Sequence, residues 1–350
     1  MNEFVCSRCG AVLTAALSRV ALPTHAHQQY GHEMLPALMA EGTYAVDPEP
    51  SGQPWRLWDD VGAAGAATRG VFAPVFSLCF GAPGAVVVAP GDIRGTVLIP
   101  ERCDGYCMGL DGRDGPNLAC AQCGQPVATR IDDCSFWQAV WFESAAVRRV
   151  SSGGPARLLA WEELVNTLQL ESPIEPLGAW SARWEAAIGV ALAHLLTVSN
   201  GSPVRVPDGL LGKTLGRAHD ALIPPGAIPR QLVLAGPGLP APHQDAGIAL
   251  VPMHPQTGLA WQPTGTAAPV PLDADVWMYL AFHEGRSCVP ATGGIPEGVL
   301  RDDPLPMVPR ALFAPDVSVF LHTLARLPAV REPWLRAIFD RATQERFWLF

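Results

Sequence analysis

Nine cysteines, six of them in three closely spaced pairs, constrain this chain more than any other feature. The pairs are Cys6/Cys9, Cys103/Cys107 and Cys120/Cys123; Cys79, Cys134 and Cys288 stand apart. Two thiolates two or three residues apart can turn toward one ion, and a glycine after the second permits the tight backbone this needs. Gly10 and Gly124 occupy that position after Cys9 and Cys123. From Cys103 to Cys123 the spacing is C-x3-C-x12-C-x2-C, and Cys134 follows after ten further residues. Spacing of this kind is that of a metal site, with zinc the first metal to consider.

The spacing admits more than one grouping. In the contiguous one, Cys103, Cys107, Cys120 and Cys123 share an ion, and Cys6 and Cys9 take a second with nearby histidines. Cys6-x2-Cys9-x17-His27-x4-His32 supplies such ligands, with His25 close by. It falls short of a DNA-reading finger, because the central spacer is long and the segment carrying the histidines holds Gly31 and Pro36. In the competing grouping, the two C-x-x-C-G knuckles, of the kind found in zinc ribbons, share one ion across more than a hundred residues. Cys103 and Cys107 must then find other partners, such as Cys134 or a histidine. A redox role for a C-x-x-C pair needs a βαβ setting, whereas Gly124-Gln-Pro126 leads into a strand.

Charge limits the partners. The net charge is −9 and the sequence pI about 5.4, which opposes binding to nucleic-acid phosphates. Arg148-Arg149 reads as a solvated edge. The longest uncharged run, Val71 to Pro90, holds Pro74, Gly81, Pro83 and Gly84. Four breakers are incompatible with a spanning helix, so it reads as two strands, 75–80 and 85–89, joined in a hairpin. The N-terminus lacks a secretory pattern, and the thiol-rich composition suits a reducing compartment; a cytoplasmic location is the expectation.

The expected fold is α+β. Residues 1–150 should form a β-rich, zinc-stabilised domain with strands near 43–46, 96–99 and 127–131, and a helix over 135–143 capped by Asp132-Asp133. Ser151 to Pro155 reads as a linker. Residues 151–350 should form a mixed α+β domain. Its helices are expected at 161–170, 179–198, 209–222, 273–284, 315–327 and 333–343, and its strands at 231–234 and 247–251. The longest helix carries Trp180, Trp184, Ile188, Ala191, Leu195 and Val198 at three- and four-residue steps.

Catalytic patterns are weak. Gly212-Lys213-Thr214 lacks the leading glycine of a P-loop, since position 207 is proline. His283-Glu284 lacks the second histidine of H-E-x-x-H. A Cys288 nucleophile with His283 as base, or a site from His243, Asp245 and His254, depends on the fold bringing distant residues together. A closed four-thiolate site stabilises folding rather than catalysing. The reading is therefore a zinc-binding interaction or scaffold protein with a protein partner, and without nucleic acid or membrane. The alternative is a hydrolase-type enzyme with its site in the C-terminal domain or between domains.

Overall fold

The computed structural model describes the chain except residues 30, 33, 152–156, 168–171, 176–177, 224–225, 227–228, 242–246, 284–308, 310 and 346–350. The expected linker and the Cys288, His243 and Asp245 candidates therefore lie wholly or largely outside the described residues. The chain divides into two compact units, Met1–Leu158 with Pro255–Gly258, and Leu159–His254 with Leu259–Phe350. Helices and sheets are both present, as the mixed composition implied.

The first unit is mostly strand. It contains β1 (Asn2–Cys6), β2 (Ser18–Arg19), β3 (Thr43–Val46), β4 (Trp55–Leu57), helix α1 (Trp58–Ala67), β5 (Ser77–Cys79), β6 (Val86–Val88), β7 (Thr96–Leu98), β8 (Leu118–Cys120), β9 (Pro126–Ile131), β10 (Ala139–Phe142) and β11 (Val147–Ser151). Seven strands form one sheet in the order β2-β3-β6-β10-β9-β8-β7, while β1 pairs with β11 and β4 with β5. All of these pairings are antiparallel except β2 with β3.

Two local expectations fail here for instructive reasons. The strands near 75–80 and 85–89 exist but do not form a hairpin: β5 turns to β4, and β6 lies between β3 and β10. The helix expected over 135–143 is instead β10. Phe136/Val140 and Trp137/Trp141 mimic a helical stripe, but β10 is central and Ala139, Val140 and Phe142 are all buried. A strand covered on both faces has no period of two to recognise. Pairing with β6 on one side and β9 on the other satisfies its backbone.

The core of this unit runs directly into its cysteines. Phe4, Leu13, Tyr44, Val88, Val127, Val140 and Phe142 pack in one cluster that includes Cys6 and Cys120, with Cys9 and Cys123 against its edge.

The second unit contains α2 (Trp161–Thr167), α3 (Ala182–Ser199), β12 (Val204–Arg205), α4 (Arg217–Leu222), β13 (Arg230–Leu234), β14 (Ile248–Pro252), β15 (Ala268–Leu272), α5 (Ala274–Phe282), α6 (Val317–Arg326) and α7 (Pro333–Gln344). Its four strands form a parallel sheet in chain order. The apolar stripe foreseen on α3 buries most of that helix. A side chain at Gly189 would place its Cβ 2.9 Å from the Asp316 carbonyl, so glycine allows the α6 segment to approach. The Gly212-Lys213-Thr214 sequence lies in a π-helical turn rather than a loop, with Thr214 buried and its hydroxyl donating to the Leu210 carbonyl. No helix among the described residues is long and apolar enough to cross a membrane.

Candidate metal centre

The first cysteine pair is positioned by the end of β1. The chain turns through Ser7 and Arg8 and returns along Val12, which bridges Val5. Cys6 N–H donates to the Ala11 carbonyl and Gly10 N–H to the Cys6 carbonyl. The turn after β8 repeats this pattern. Cys120 N–H donates to the Gln125 carbonyl and Gly124 N–H to the Cys120 carbonyl. Gly10 has φ of 77° and Gly124 φ of 71°, a left-handed conformation that costs other residues energy. Two short sequences with the same residue pattern thus build the same knuckle.

The fold sets these knuckles face to face. Cys6 Sγ is 3.7 Å from Cys123 Sγ, and Cys9 Sγ is 3.6 Å from Cys120 Sγ. All four sulfurs lie within 4.8 Å of one another. Disulfide sulfurs would be about 2.05 Å apart, and none of the described cysteines is disulfide-bonded. A tetrahedron with metal–sulfur bonds of about 2.3 Å has sulfur–sulfur edges of about 3.8 Å. The two close pairs match that edge, so the four residues can hold a metal ion.

Their protonation is uneven. Burial alone would raise the Cys6 thiol, but hydrogen bonds from the Cys9 and Arg8 amides and the Cys123 and Cys9 thiols bring it down to about 7. Cys9 receives a lowering hydrogen bond from the Ala11 amide, yet burial and the neighbouring Cys123, Cys120 and Cys6 sulfurs push it up to about 12. Four thiols this close cannot all ionise without a cation among them.

Cys103 and Cys107 do not join Cys120 and Cys123, so the contiguous grouping is not the one the fold assembles. Cys103 Sγ lies 3.2 Å from the Ile99 carbonyl. The reason is the path of β7, β8 and β9: antiparallel pairing carries Cys120 back toward Thr96, while the intervening loop leaves the sheet at its other end. Cys107 instead joins His32 and Cys134, whose ligand atoms also lie within 4.8 Å of one another. His32 Nδ1 is 3.2 Å from Cys134 Sγ.

The other described histidines that the sequence singled out lie elsewhere. His27, expected as a ligand beside His32, has Nε2 3.0 Å from the Asp47 carboxylate and its ring against Trp141. His25 is buried against Trp137. In the second unit, His283 stacks on Tyr279, and His254 Nε2 lies 3.0 Å from the Leu159 carbonyl. Cys134 was noted by spacing but not assigned a site. Its one available signal was that the competing grouping leaves Cys107 in need of a partner.

Comparison with protein-family models, with curated proteins and with solved structures finds no match to this chain.

Proposed function

We propose that the chain is a zinc protein in which Cys6, Cys9, Cys120 and Cys123 hold one structural ion, and that its first unit acts as an interaction scaffold. The observation that carries the metal reading is the facing of two C-x-x-C-G knuckles with sulfur–sulfur edges of 3.6 and 3.7 Å. Four thiolates leave a tetrahedral ion without an open position, so its work is structural. The ion would tie residue 6 to residue 123 across the core and close a long loop, adding to the strand pairing that already holds Cys6 opposite Val147 and Cys120 opposite Thr96.

Support for an interaction role comes from apolar side chains left in water. Trp55 and Leu57 on β4 are about half exposed, and Phe76, one residue before β5, is 86% exposed. Such residues gathered on one small hairpin-like pair of strands are the kind of surface that partners cover. A protein partner suits this surface and the net charge of −9.

Elemental analysis of purified protein tests the metal reading. Zinc should be bound tightly and lost in a Cys6→Ser variant; a Cys6→Ser protein with undiminished zinc would refute it. The scaffold reading predicts that Phe76→Asp keeps the wild-type zinc content and melting temperature while weakening association with a cross-linked partner. Equal cross-linking by the two proteins would count against that surface.

A further inference from the structure

The second cysteine cluster differs in kind from the first, and its construction can be followed backbone by backbone. Leu38 N–H donates to the Gln138 carbonyl and Gln138 N–H to the Pro36 carbonyl. Gln29 bridges Phe136 and Ala37 bridges Gln138, contacts on either side of His32 in the chain, and His32 Nδ1 lies 3.2 Å from Cys134 Sγ. The third ligand arrives through Asp133. This buried carboxylate accepts from the Met108 amide at 2.8 Å and the Gly109 amide at 3.1 Å. Asp132 N–H also donates to the Leu110 carbonyl. One carboxylate thus fixes the residue after Cys107 while sitting next to Cys134 in the chain.

Backbone conformation around the cluster is committed as well. Ser135 has φ of 73° without being glycine, a strained conformation that surrounding contacts must enforce and that clusters at functional sites. Gly109 has φ of 90°, and any Cβ there would lie 2.5 Å from the Cys103 carbonyl oxygen. Ser135 directly follows Cys134 in the chain, and Gly109 lies two residues after Cys107.

We infer that His32, Cys107 and Cys134 form a second metal site, one that takes a thiophilic divalent cation, zinc first, and leaves its fourth position exchangeable. Two sulfurs and one imidazole nitrogen are borderline-soft donors that suit zinc. The 3.2 Å between His32 Nδ1 and Cys134 Sγ is within a few tenths of the roughly 3.5 Å nitrogen–sulfur edge of a tetrahedral zinc site. Three protein ligands with solvent at the fourth position is the arrangement that lets an ion bind and release a small ligand. His32 and Cys107 are exposed and Cys134 half-buried, whereas Cys6 and Cys120 are fully buried. Water, imidazole or a thiolate can therefore reach an ion here. The inference adds a second ion to the structural one and does not depend on it.

The test compares full-length wild type with the Cys107→Ser/Cys134→Ser double variant and with His32→Ala, each saturated with zinc and desalted, then repeated with cobalt. Wild type should retain two ions per chain and the double variant one. Addition of imidazole should shift the visible cobalt bands of wild type and leave those of the double variant unchanged. His32→Ala, an exposed substitution that should spare the fold, should lower retention at the second site at least tenfold. Equal stoichiometry in wild type and the double variant would overturn the inference, as would cobalt bands in wild type that ignore imidazole. A wild type with one ion that only Cys6→Ser removes would reject the second site and leave the first standing. Loss of one ion in the double variant, with none lost in Cys6→Ser, would reject the first and leave the second.

Discussion

Among the described residues the first unit has two groups of side chains that could hold a metal ion, and their construction is opposite. The knuckle pair is repetitive, half sunk in the core (Cys6 and Cys120 buried, Cys9 and Cys123 half-buried) and all sulfur. The His32/Cys107/Cys134 group is assembled from three unlike segments, lies at the surface and mixes nitrogen with sulfur. The first is continuous with the hydrophobic core, so its geometry follows from the same packing that folds the unit. The second hangs on a carboxylate, Asp133, and on strained turns. If both groups bind metal as proposed, the contrast teaches that burial and ligand number would separate an ion that holds a fold together from one that can exchange.

The largest effect should follow from breaking the buried group. Cys120→Ser should destabilise the first unit by on the order of 3 kcal/mol or more and remove the metal dependence of its melting, followed by calorimetry with and without chelator. A stability loss below about 1 kcal/mol would erase the distinction between the two groups.

A second effect lies in the other unit and calibrates the first. Glu185 on α3 is half-buried, and the loss of solvent around it together with the nearby Asp316 charge pushes its carboxyl up from the ordinary 4.5 to about 8. Between those values the folded chain keeps a proton that the unfolded chain has released, so stability falls as pH rises through that window. Glu185→Gln should therefore gain about 1–3 kcal/mol over wild type near the upper end and almost nothing near the lower end. The gain should be the same in zinc-loaded and chelator-treated protein. A chelator-dependent gain would mean that the metal acts well beyond the knuckles.

Smaller effects test whether the knuckles are equivalent. At Gly10 and Gly124 a Cβ would meet nothing within 4 Å, so alanine there costs only the left-handed backbone, roughly 1 kcal/mol each. Chemical denaturation should give similar losses at the two positions; a large disparity would show that one turn carries the site. The smallest change should come from Cys103→Ser, which alters a thiol near the Ile99 carbonyl and neither group of ligands. It should leave metal content intact and stability within about 0.5 kcal/mol. Loss of an ion in that variant would restore the contiguous grouping.

Much of this was legible in the residues, and the failures are specific. The knuckles could be read because a C-x-x-C-G turn is a local object: its glycine, its amides and its sulfurs all lie within a few residues. Their pairing was open because a metal site is closed by the fold, and equal spacings give no information about which pairs meet. The strand at β10 was hidden because residues buried on both faces lose alternation, and two apolar pairs four apart, Phe136/Val140 and Trp137/Trp141, then imitate a helix. The helices of the second unit were clear because α3 and its neighbours carry long periodic stripes with caps, such as Asp273 accepting from the Asp275 and Val276 amides. β15 was missed because Pro269 and Pro271 sit inside it, where proline ordinarily argues against a strand. The His32/Cys107/Cys134 group was legible only through the competing grouping, which leaves Cys107 in need of Cys134 or a histidine; which histidine joins them is decided by the fold and not by spacing.

Zinc-edge X-ray absorption on the Cys107→Ser/Cys134→Ser double variant isolates the buried group and tests it most directly. The coordination shell should contain four sulfurs at about 2.3 Å and no lighter ligand. A shell with nitrogen or oxygen, or a double variant that binds no zinc, would contradict the four-thiolate centre.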